Sequence, residues 1–436
     1  MNVLEAAING CSSEEILAAE VPATYRAAYL ERSDAERLAG EPDKDVRRTL
    51  KVGEVPMPEL APDEALVAVM AGAMNYNTVW SARFEPVPTF QFLDKLAETG
   101  GWNRRHSQDK HVIGSDAAGV VVRTGSAVRR WSPGDSVVIF PVWTEAEDAF
   151  AHEDLLDDDV RAWGFETNFG GLAHFTVVKA TQLMPKPRHL TWEEAACNTT
   201  CAMTSYRMLV SENGARFKQG DVVFVWGAAG GLGAYAVQLV RNGGGLAVGV
   251  VDSEEKARLL EELDCNVVIR RDQDGLSDLG GKELGRAMGA IVRRELGEDP
   301  HIVFEHVGAK TFPASVFMAR RGGAVVTCGS STGYEHNFDN RYLWMRVKRI
   351  IGSHAATFQE ALECNRLIEM GMLQPALTRV FALDDVAEAA HQVHTNAHVG
   401  KVGVLCLARE EGLGIEDPER RAQIGESRVA LFRKYG

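Results

Sequence analysis

Short apolar runs broken by glycine and proline dominate the first part of the chain. From Leu50 to Val69 apolar and polar positions alternate between prolines, and β-branched runs follow at 119–122 and 136–140. Alternation with period two and turn residues at the breaks is typical of strands. The pattern predicts a compact β-rich region. A Ser12-x-x-Glu15 capping box ahead of it predicts an N-terminal helix.

The pattern changes near Thr191, where a second capping box predicts a helix that runs to Leu209. Beyond it, apolar runs alternate regularly with helical stretches, and six of them predict strands, at 222–226, 246–251, 266–269, 302–306, 324–328 and 349–352. Strands that alternate with helices form a doubly wound parallel sheet. We therefore predict an α/β chain, with this sheet in a domain at 206–359 inserted between the two parts, 1–205 and 360–436, of a β-rich substrate domain.

Four further segments complete the prediction along the chain. A helix is predicted at 357–370 and a strand at 402–407. The aromatic-rich segment 84–110 and the acidic segment 144–160 show no clear period. We expect both to be irregular insertions over a site or an interface.

Length, composition and charge narrow the class of protein. A chain of 436 residues exceeds what one core usually supports, which favours two domains. No apolar run has the length of a membrane span and the start lacks the features of a signal peptide, so we expect a cytoplasmic protein without a membrane partner. The net charge of −14 disfavours binding to nucleic acid. The seven cysteines are scattered, which argues against a disulfide scaffold or a structural metal site.

A glycine-rich turn follows the first of the six predicted strands and precedes an apolar-faced helix. Glycines permit a tight turn and a close approach of the backbone, and a helix N-terminus offers free N–H groups to a pyrophosphate. In this context the turn predicts a dinucleotide cofactor, and an empty turn is the alternative. The predicted binding residues are Gly227, Ala228, Ala229, Gly230, Gly231, Leu232 and Gly233.

The end of the second strand bears on the choice between NADH and NADPH. Asp252 favours NADH, because a carboxylate there binds the ribose hydroxyls. Ser253, Lys256 and, after the third strand, Arg270 and Arg271 favour NADPH, because they can neutralise a 2′-phosphate. We predict NADPH, bound by Ser253, Lys256 and Arg271. The alternative is that Lys256 is a solvated helix residue paired with neighbouring glutamates.

Motifs along nearly the whole chain resemble those of the crotonyl-CoA carboxylase/reductases (enoyl-CoA carboxylase/reductases), in the medium-chain dehydrogenase/reductase superfamily. Besides the glycine turn, they lie at 75–80, 111–119, 163–170, 341–354 and 424–432. The resemblance implies a GroES-like substrate domain with an inserted Rossmann domain, and a homotetramer. It also implies an enzyme that reduces a 2-enoyl-CoA with NADPH and traps the enolate with CO2 as an alkylmalonyl-CoA.

The resemblance places four catalytic residues around CO2. Asn77 donates a hydrogen bond to one CO2 oxygen, Glu166 and His354 hold a bridging water, and Phe165 excludes bulk solvent. Each residue also has a simpler interpretation outside the family. A lone His354 after a strand is more often structural, and Asn77 beside Asn75 could make turn contacts.

The resemblance also implies how the substrate is bound. Arg341 and Tyr342 would contact coenzyme A, although a surface turn is the alternative interpretation. Ala355 follows His354, where the family commonly has a bulky aromatic residue. The smaller side chain opens volume for the acyl chain, which predicts a substrate longer than crotonyl-CoA, as in supply of polyketide extender units. Zinc-dependent relatives need cysteine in the first domain, and residues 50–180 contain none, so no metal is expected.

Two other functions are compatible with the same sequence. A simple NADPH-dependent enoyl-CoA or quinone reductase would protonate the enolate instead of carboxylating it. A non-catalytic protein would bind NADPH and turn over no enoyl-CoA.

Overall fold

A computed structural model describes residues 2–41, 44–145 and 154–436 of the chain. The described residues form two compact units: the first holds the chain up to Thr200 together with Leu377–Lys434, and the second holds Cys201–Ala376. The domain boundaries proposed from sequence, 205/206 and 359/360, stay a prediction of where independently folding domains meet. In the described parts of the chain, no helix has both the length and the apolar character needed to cross a membrane.

The first unit contains a seven-stranded, a three-stranded and a two-stranded β-sheet. Its strands are β1 (Thr24–Glu31), β2 (Lys51–Pro56), β3 (Glu64–Ala73), β4 (Lys110–Val112), β5 (Ala117–Thr124), β6 (Ser136–Ile139), β7 (Val142–Trp143), β8 (Arg161–Ala162), β9 (Phe175–Lys179), β10 (Leu183–Pro185), β17 (Leu377–Ala382) and β18 (Lys401–Leu405). One sheet has the order β2-β1-β4, and the larger one has the order β10-β6-β5-β3-β18-β17, with β9 also paired to β3. All ten residues of β3 are buried, because it pairs with β5, β9 and β18. This confirms the predicted β-rich region.

Helices cover the sheets of the first unit. They are α1 (Val3–Ile8), α2 (Ser13–Ala18), α3 (Arg32–Arg37), α4 (Tyr76–Arg83), α5 (Phe90–Glu98), α6 (Trp192–Ala196), α14 (Val386–His394), α15 (Pro418–Ile424) and α16 (Glu426–Val429). The predicted capping box is confirmed, since Ser12 caps α2 and the Glu15 carboxylate accepts the Ser12 N–H. Short 3-10 helices lie at Val46–Arg48, Gly101–His106, Ala180–Gln182 and Leu383–Asp385.

The prediction of an irregular segment at 84–110 is wrong. The segment contains α5 and the 3-10 helix Gly101–His106. Phe90, Leu93 and Leu96 of α5 are buried at a spacing of three, so a single apolar face holds this helix on the core. Part of the acidic segment 144–160, residues 146–153, lies outside the described residues.

The second unit is a six-stranded parallel sheet with helices between its strands. Its strands are β11 (Val222–Val225), β12 (Leu246–Val251), β13 (Val267–Arg270), β14 (Ile302–Glu305), β15 (Ala324–Thr327) and β16 (Arg349–Gly352), in the order β13-β12-β11-β14-β15-β16. This is the strand order of a Rossmann fold. Each of the six strands predicted from sequence is confirmed, with its ends displaced by one residue at most.

The helices of the second unit follow the same alternation. They are α8 (Gly231–Asn242), α9 (Glu254–Glu262), α10 (Gly281–Leu296), α11 (Phe312–Met318), α12 (Arg341–Trp344) and α13 (Phe358–Glu369). Thr357 caps α13 within a capping box, which confirms the helix predicted at 357–370. The strand predicted at 402–407 is β18, which begins one residue earlier and ends at Leu405.

The single helix predicted from Thr191 to Leu209 is in fact two, α6 and α7 (Thr199–Leu209). The second begins where Asp116 Oδ1 accepts the Thr199 hydroxyl at 2.5 Å and the Thr200 N–H at 2.8 Å. A carboxylate from a distant part of the chain thus takes the place of a local N-cap.

Candidate active site

Asn77 lies in the first turn of α4, directly after the buried strand β3. Its side chain is half-buried and faces the hydroxyl of Ser115. The Asn77 Nδ2 lies 3.0 Å and the Asn77 Oδ1 3.2 Å from Ser115 Oγ. The amide is therefore held by a side chain from the segment between β4 and β5.

Phe165 and Glu166 lie in a loop whose shape depends on Gly164. This glycine has φ +69°, and a Cβ there would lie 2.0 Å from the carbonyl oxygen of Gly114. Both facts restrict the position to glycine. The Glu166 Oε2 accepts the Ala162 N–H at 2.7 Å, which leaves the other carboxylate oxygen as an acceptor.

Buried polar side chains hold the same loop from behind. His111 Nε2 donates to the Thr167 carbonyl oxygen at 3.1 Å, and its Nδ1 lies 2.8 Å from the Thr89 hydroxyl. Asn168 Oδ1 accepts the Val112 N–H at 2.9 Å. Burial lowers the pKa of His111 to about 4, so the ring is neutral and fits one donor and one acceptor.

The aromatic side chain of Phe165 packs against α5. Its ring centroid lies 5.9 Å from that of Phe92, with 38° between the ring planes. The segment whose helix was missed in the sequence thus supplies an apolar neighbour to Phe165. Together the two rings give this part of the first unit an apolar surface beside the Glu166 carboxylate.

His354 and Ala355 belong to the second unit and follow β16. The Ser353 N–H donates to the Thr327 carbonyl oxygen at 2.8 Å, which continues the sheet pairing up to His354. The imidazole of His354 is exposed. Ala355 has φ +45°, so the chain turns through the left-handed region here. The small side chain at this position is half-buried.

The glycine turn of the second unit has the geometry that a dinucleotide pyrophosphate requires. Gly227 has φ +55°, and a Cβ at Gly233 would lie 2.3 Å from the Gly227 carbonyl oxygen. Helix α8 has Gly230 as its N-cap, and no side chain in the described part of the chain caps its first N–H groups. The turn therefore combines a narrow backbone with free donors at a helix N-terminus, which fits NADP or NAD.

The strand ends beside this turn carry charges that are mostly paired. Lys256 Nζ lies 2.8 Å from Asp252 Oδ1, and Ser253 caps α9. The guanidinium of Arg270 bonds to Asp272 and to Glu254. The alternative for Lys256, a solvated residue paired with neighbouring glutamates, differs from the structure, because the Lys256 side chain is only 15% exposed and its partner is Asp252.

Arg271 differs from these paired cations. Its guanidinium lies 5.9 Å from the centroid of the Trp226 ring, just before the glycine turn. It makes no ion pair with a carboxylate anywhere in the ranges 2–41, 44–145 and 154–436. Arg271 is therefore the cation at these strand ends that is left for an anionic ligand.

A buried carboxylate behind the turn was missed by the sequence reasoning. Glu305 is fully buried, and its Oε1 accepts the Gly308 N–H at 3.0 Å and the Thr311 hydroxyl at 2.9 Å. Its Oε2 accepts the Ser315 hydroxyl, whose oxygen accepts the Trp226 indole N–H at 2.8 Å. This network fixes Trp226 under Arg271. The sequence carried one signal for this residue: Glu305 is an acidic residue at the end of an apolar strand.

Arg341 and Tyr342 lie in the short helix α12 of the second unit. Arg341 is exposed and forms a two-pronged ion pair with Asp339, with Nη2 2.7 Å from Oδ2. The Tyr342 ring packs edge-on against Phe317 at 4.7 Å. The pair thus offers one exposed cation beside a fixed aromatic ring.

Among the residues that the structure describes, no group of three or more His, Cys, Asp or Glu side chains is placed to hold a metal ion.

Comparisons with known proteins match both units. A family model described as alcohol dehydrogenase GroES-like domain matches residues 61–188, and one described as zinc-binding dehydrogenase matches residues 231–369. The chain is 49% identical to a crotonyl-CoA reductase of Streptomyces collinus over 94% of each chain. It is 36% identical to a crotonyl-CoA carboxylase/reductase of Cereibacter sphaeroides over 86% of each chain.

A solved structure is similar over the full length. It is the 2-octenoyl-CoA carboxylase reductase CinF in complex with NADP and 2-octenoyl-CoA, with 54% identity, a TM-score of 0.96, and coverage of 100% of this chain and 99% of that one. The fold is thus a GroES-like domain with a Rossmann domain. The chain belongs to the crotonyl-CoA carboxylase/reductase family of oxidoreductases.

Proposed function

We propose that the protein catalyses the NADPH-dependent reductive carboxylation of a 2-enoyl-CoA longer than crotonyl-CoA, giving an alkylmalonyl-CoA. The observation that carries this proposal is the full-length match to a 2-octenoyl-CoA carboxylase reductase. Ala355 supports the longer substrate, because a small side chain after His354 leaves volume for an acyl chain. Supply of extender units for polyketide assembly is the role that such a product suits.

The second unit is proposed to bind the cofactor through its glycine turn, Gly227–Gly233. The free N–H groups at the start of α8 bind the pyrophosphate, and Arg271 binds the 2′-phosphate, with Ser253 and Lys256 beside it. When bound, the dihydronicotinamide supplies the hydride that reduces the β-carbon of the enoyl thioester. Arg341 exchanges Asp339 for a phosphate of coenzyme A, and Tyr342 packs beside it.

The first unit is proposed to provide the CO2-binding donors. The Asn77 amide donates to one CO2 oxygen. The Glu166 Oε1, which has no hydrogen bond to any described residue, accepts from a water molecule. Phe165, packed on Phe92, keeps bulk water away, which favours attack of the enolate α-carbon on CO2 over its protonation. His354, in the second unit, is proposed as the fourth catalytic residue, with a ring nitrogen that can hydrogen-bond to water.

We further propose that the protein is a cytoplasmic homo-oligomer, a tetramer in the simplest case. The edge strand β16 of the second unit is exposed, and apolar side chains beside it are exposed as well: Trp344 (63%), Met345 (53%), Val347 (64%) and Ile350 (38%). An apolar sheet edge of this kind supports association with a second copy of the chain.

A substrate panel tests the proposed reaction. Enoyl-CoA esters of four to ten carbon atoms are incubated with NADPH or NADH and ¹³C-bicarbonate, and the products are identified by mass spectrometry. We expect labelled alkylmalonyl-CoA, with higher kcat/KM for octenoyl-CoA than for crotonyl-CoA. Saturated acyl-CoA as the sole product at high CO2 would identify a simple reductase, and cofactor binding without any turnover would identify a non-catalytic protein.

A further inference from the structure

A buried ion pair lies behind Asn77 in the first unit. Lys401 Nζ lies 2.8 Å from Asp116 Oδ2, and the two side chains are 3% and 0% exposed. The other carboxylate oxygen of Asp116 accepts the Thr199 hydroxyl and the Thr200 N–H. Both oxygens are thus satisfied, as a buried carboxylate requires.

The ammonium group of Lys401 also fixes the orientation of Asn75. Its Nζ donates to Asn75 Oδ1 at 2.5 Å and to the backbone carbonyl of Met74. A lysine ammonium has donors and no acceptor, so the Asn75 atom that faces it must be the oxygen. The Asn75 nitrogen therefore points the other way, where it lies 3.1 Å from Ser115 Oγ.

The orientation of Asn75 in turn determines the direction of the Ser115 hydroxyl. Ser115 is 1% exposed, and its oxygen accepts the Asn75 N–H. Its own proton must then go to a different acceptor, and Asn77 Oδ1 lies 3.2 Å away. The Asn77 Nδ2 donates one N–H back to Ser115 Oγ at 3.0 Å. Its second N–H bonds to no residue within the described part of the chain.

We propose that Lys401, Asn75 and Ser115 are positioning residues that hold the Asn77 amide with its free N–H directed at an oxygen of CO2. This inference rests on the proposed role of Asn77 as the CO2 donor and adds the groups that orient it. A series of hydrogen bonds connects the ammonium of Lys401 to the amide of Asn77 through Asn75 and Ser115.

These hydrogen bonds have a chemical consequence for the Asn77 amide. CO2 is uncharged and its oxygens are weak acceptors, so an amide that was free to flip would often present its own oxygen instead of its N–H. Ser115 Oγ hydrogen-bonds to both polar atoms of the Asn77 amide and so restrains its rotation. Donation from Ser115 to Asn77 Oδ1 also draws electron density from the amide nitrogen, and hydrogen bonds in such a buried network strengthen one another. Asn77 thereby becomes a fixed and stronger donor.

The experiment measures how the product divides between alkylmalonyl-CoA and saturated acyl-CoA as bicarbonate is varied, with carbonic anhydrase present. The variants are Ser115→Ala, Asn77→Ala and the double variant. Ser81→Ala is the matched control, because Ser81 lies on the same helix as Asn77, is 0% exposed, and has a hydroxyl without a hydrogen-bond partner among the described residues. Asn75→Ala is a second test of these hydrogen bonds if Ser115→Ala does not fold.

Ser115→Ala removes the hydrogen bonds that restrain the Asn77 amide, and loss of its one neutral hydrogen bond to CO2 would raise the bicarbonate needed for the same product ratio by about two- to tenfold. Asn75→Ala should shift the ratio in the same direction, and Ser81→Ala should match the wild type. Because Ser115 acts through Asn77, Ser115→Ala should have no further effect in the Asn77→Ala background.

Two results would overturn the inference alone: a product ratio in Ser115→Ala equal to that of Ser81→Ala, or full additivity with Asn77→Ala. If Ser115→Ala does not fold, the product ratio of Asn75→Ala is compared with that of Ser81→Ala in the same way. A wild type that makes no alkylmalonyl-CoA, or an Asn77→Ala variant with the wild-type ratio, would instead reject the proposed function and this inference together. The two failures are therefore distinguishable.

Discussion

Replacing Arg271 with alanine should reduce the preference of the enzyme for NADPH over NADH. Strands β12 and β13 pair Val251 with Arg270, and the Arg271 N–H donates to the Val251 carbonyl oxygen at 2.8 Å. Arg271 thus leaves the sheet beside Asp252, where the ribose of a dinucleotide is expected. Its guanidinium lies over Trp226, which Ser315 and Glu305 hold in place.

The size of the effect follows from the group that is lost. A hydrogen bond to a charged group contributes about 1.5–3 kcal/mol, which corresponds to about ten- to 150-fold in affinity. NADH carries a hydroxyl in place of the 2′-phosphate, so its affinity should fall little when the Arg271 guanidinium is removed. The ratio of kcat/KM for NADPH to that for NADH should therefore fall by about the same factor.

Two neighbouring cations serve as comparisons in the same assay. Arg270→Ala removes a guanidinium that already bonds to Glu254 and Asp272, so the cofactor preference should stay that of the wild type. Lys256→Ala leaves the Asp252 carboxylate without its partner at 2.8 Å, so repulsion of the 2′-phosphate should also shift preference towards NADH. Initial rates of cofactor oxidation at 340 nm, at saturating octenoyl-CoA and bicarbonate, give both constants.

Equal changes for NADPH and NADH in Arg271→Ala would refute this reasoning, because a phosphate contact cannot affect both cofactors alike. A larger selectivity change in Arg270→Ala than in Arg271→Ala would refute it too. That result would mean that the ion pairs of Arg270 are replaced by the ligand.

Three other predictions concern the first unit and the acyl site. Asn77→Leu should divert product from alkylmalonyl-CoA to saturated acyl-CoA, and an unchanged ratio by mass spectrometry would remove Asn77 from the CO2 site. Ala355→Phe should exclude about two methylene groups and so raise KM for octenoyl-CoA about 15-fold, at about 0.8 kcal/mol each, but not for crotonyl-CoA. Burial lowers the pKa of His111 from 6.5 to about 4. Below pH 6.5 the unfolded chain therefore binds a proton that the folded chain does not. Stability is lost as the pH falls towards 4. In urea unfolding, His111→Gln should reduce the stability difference between pH 7.5 and pH 5 by about 2 kcal/mol, and an identical difference in both proteins would contradict this.

The second unit could be predicted from sequence because its signals are local. Each strand is one apolar run and each connection one helix, so the pattern of a few neighbouring residues sets the element. The glycine turn is of the same kind, since the φ of Gly227 and the closeness of Gly233 to its carbonyl depend on seven consecutive residues. The missed helix α5 also had a local signal, the spacing of Phe90, Leu93 and Leu96, which the surrounding aromatic residues obscured.

The parts that could not be predicted depend on residues far apart in the chain. The break before α7 requires Asp116, which lies 83 residues before Thr199. The series of hydrogen bonds that orients Asn77 requires Lys401, which is 326 residues from Asn75. No periodicity in a single sequence indicates such pairs. The motifs identified Asn77 as a candidate, but the direction of its amide comes from tertiary contacts.

The charges of the second unit explain how a chain with a net charge of −14 can select two polyanionic ligands. Lys256 pairs with Asp252 and Arg341 pairs with Asp339. Each pair has one exposed side chain, Asp252 or Arg341, and ion pairs at the surface contribute little to stability. A phosphate can replace a carboxylate at small cost, and it finds the cation already oriented. Because the remaining surface is negative, polyanions without a matching shape are repelled. Selectivity then rests on a few exchangeable pairs and on Arg271, which forms no ion pair with any residue that the structure describes. One substitution at Arg271 should therefore alter cofactor choice without changing the fold.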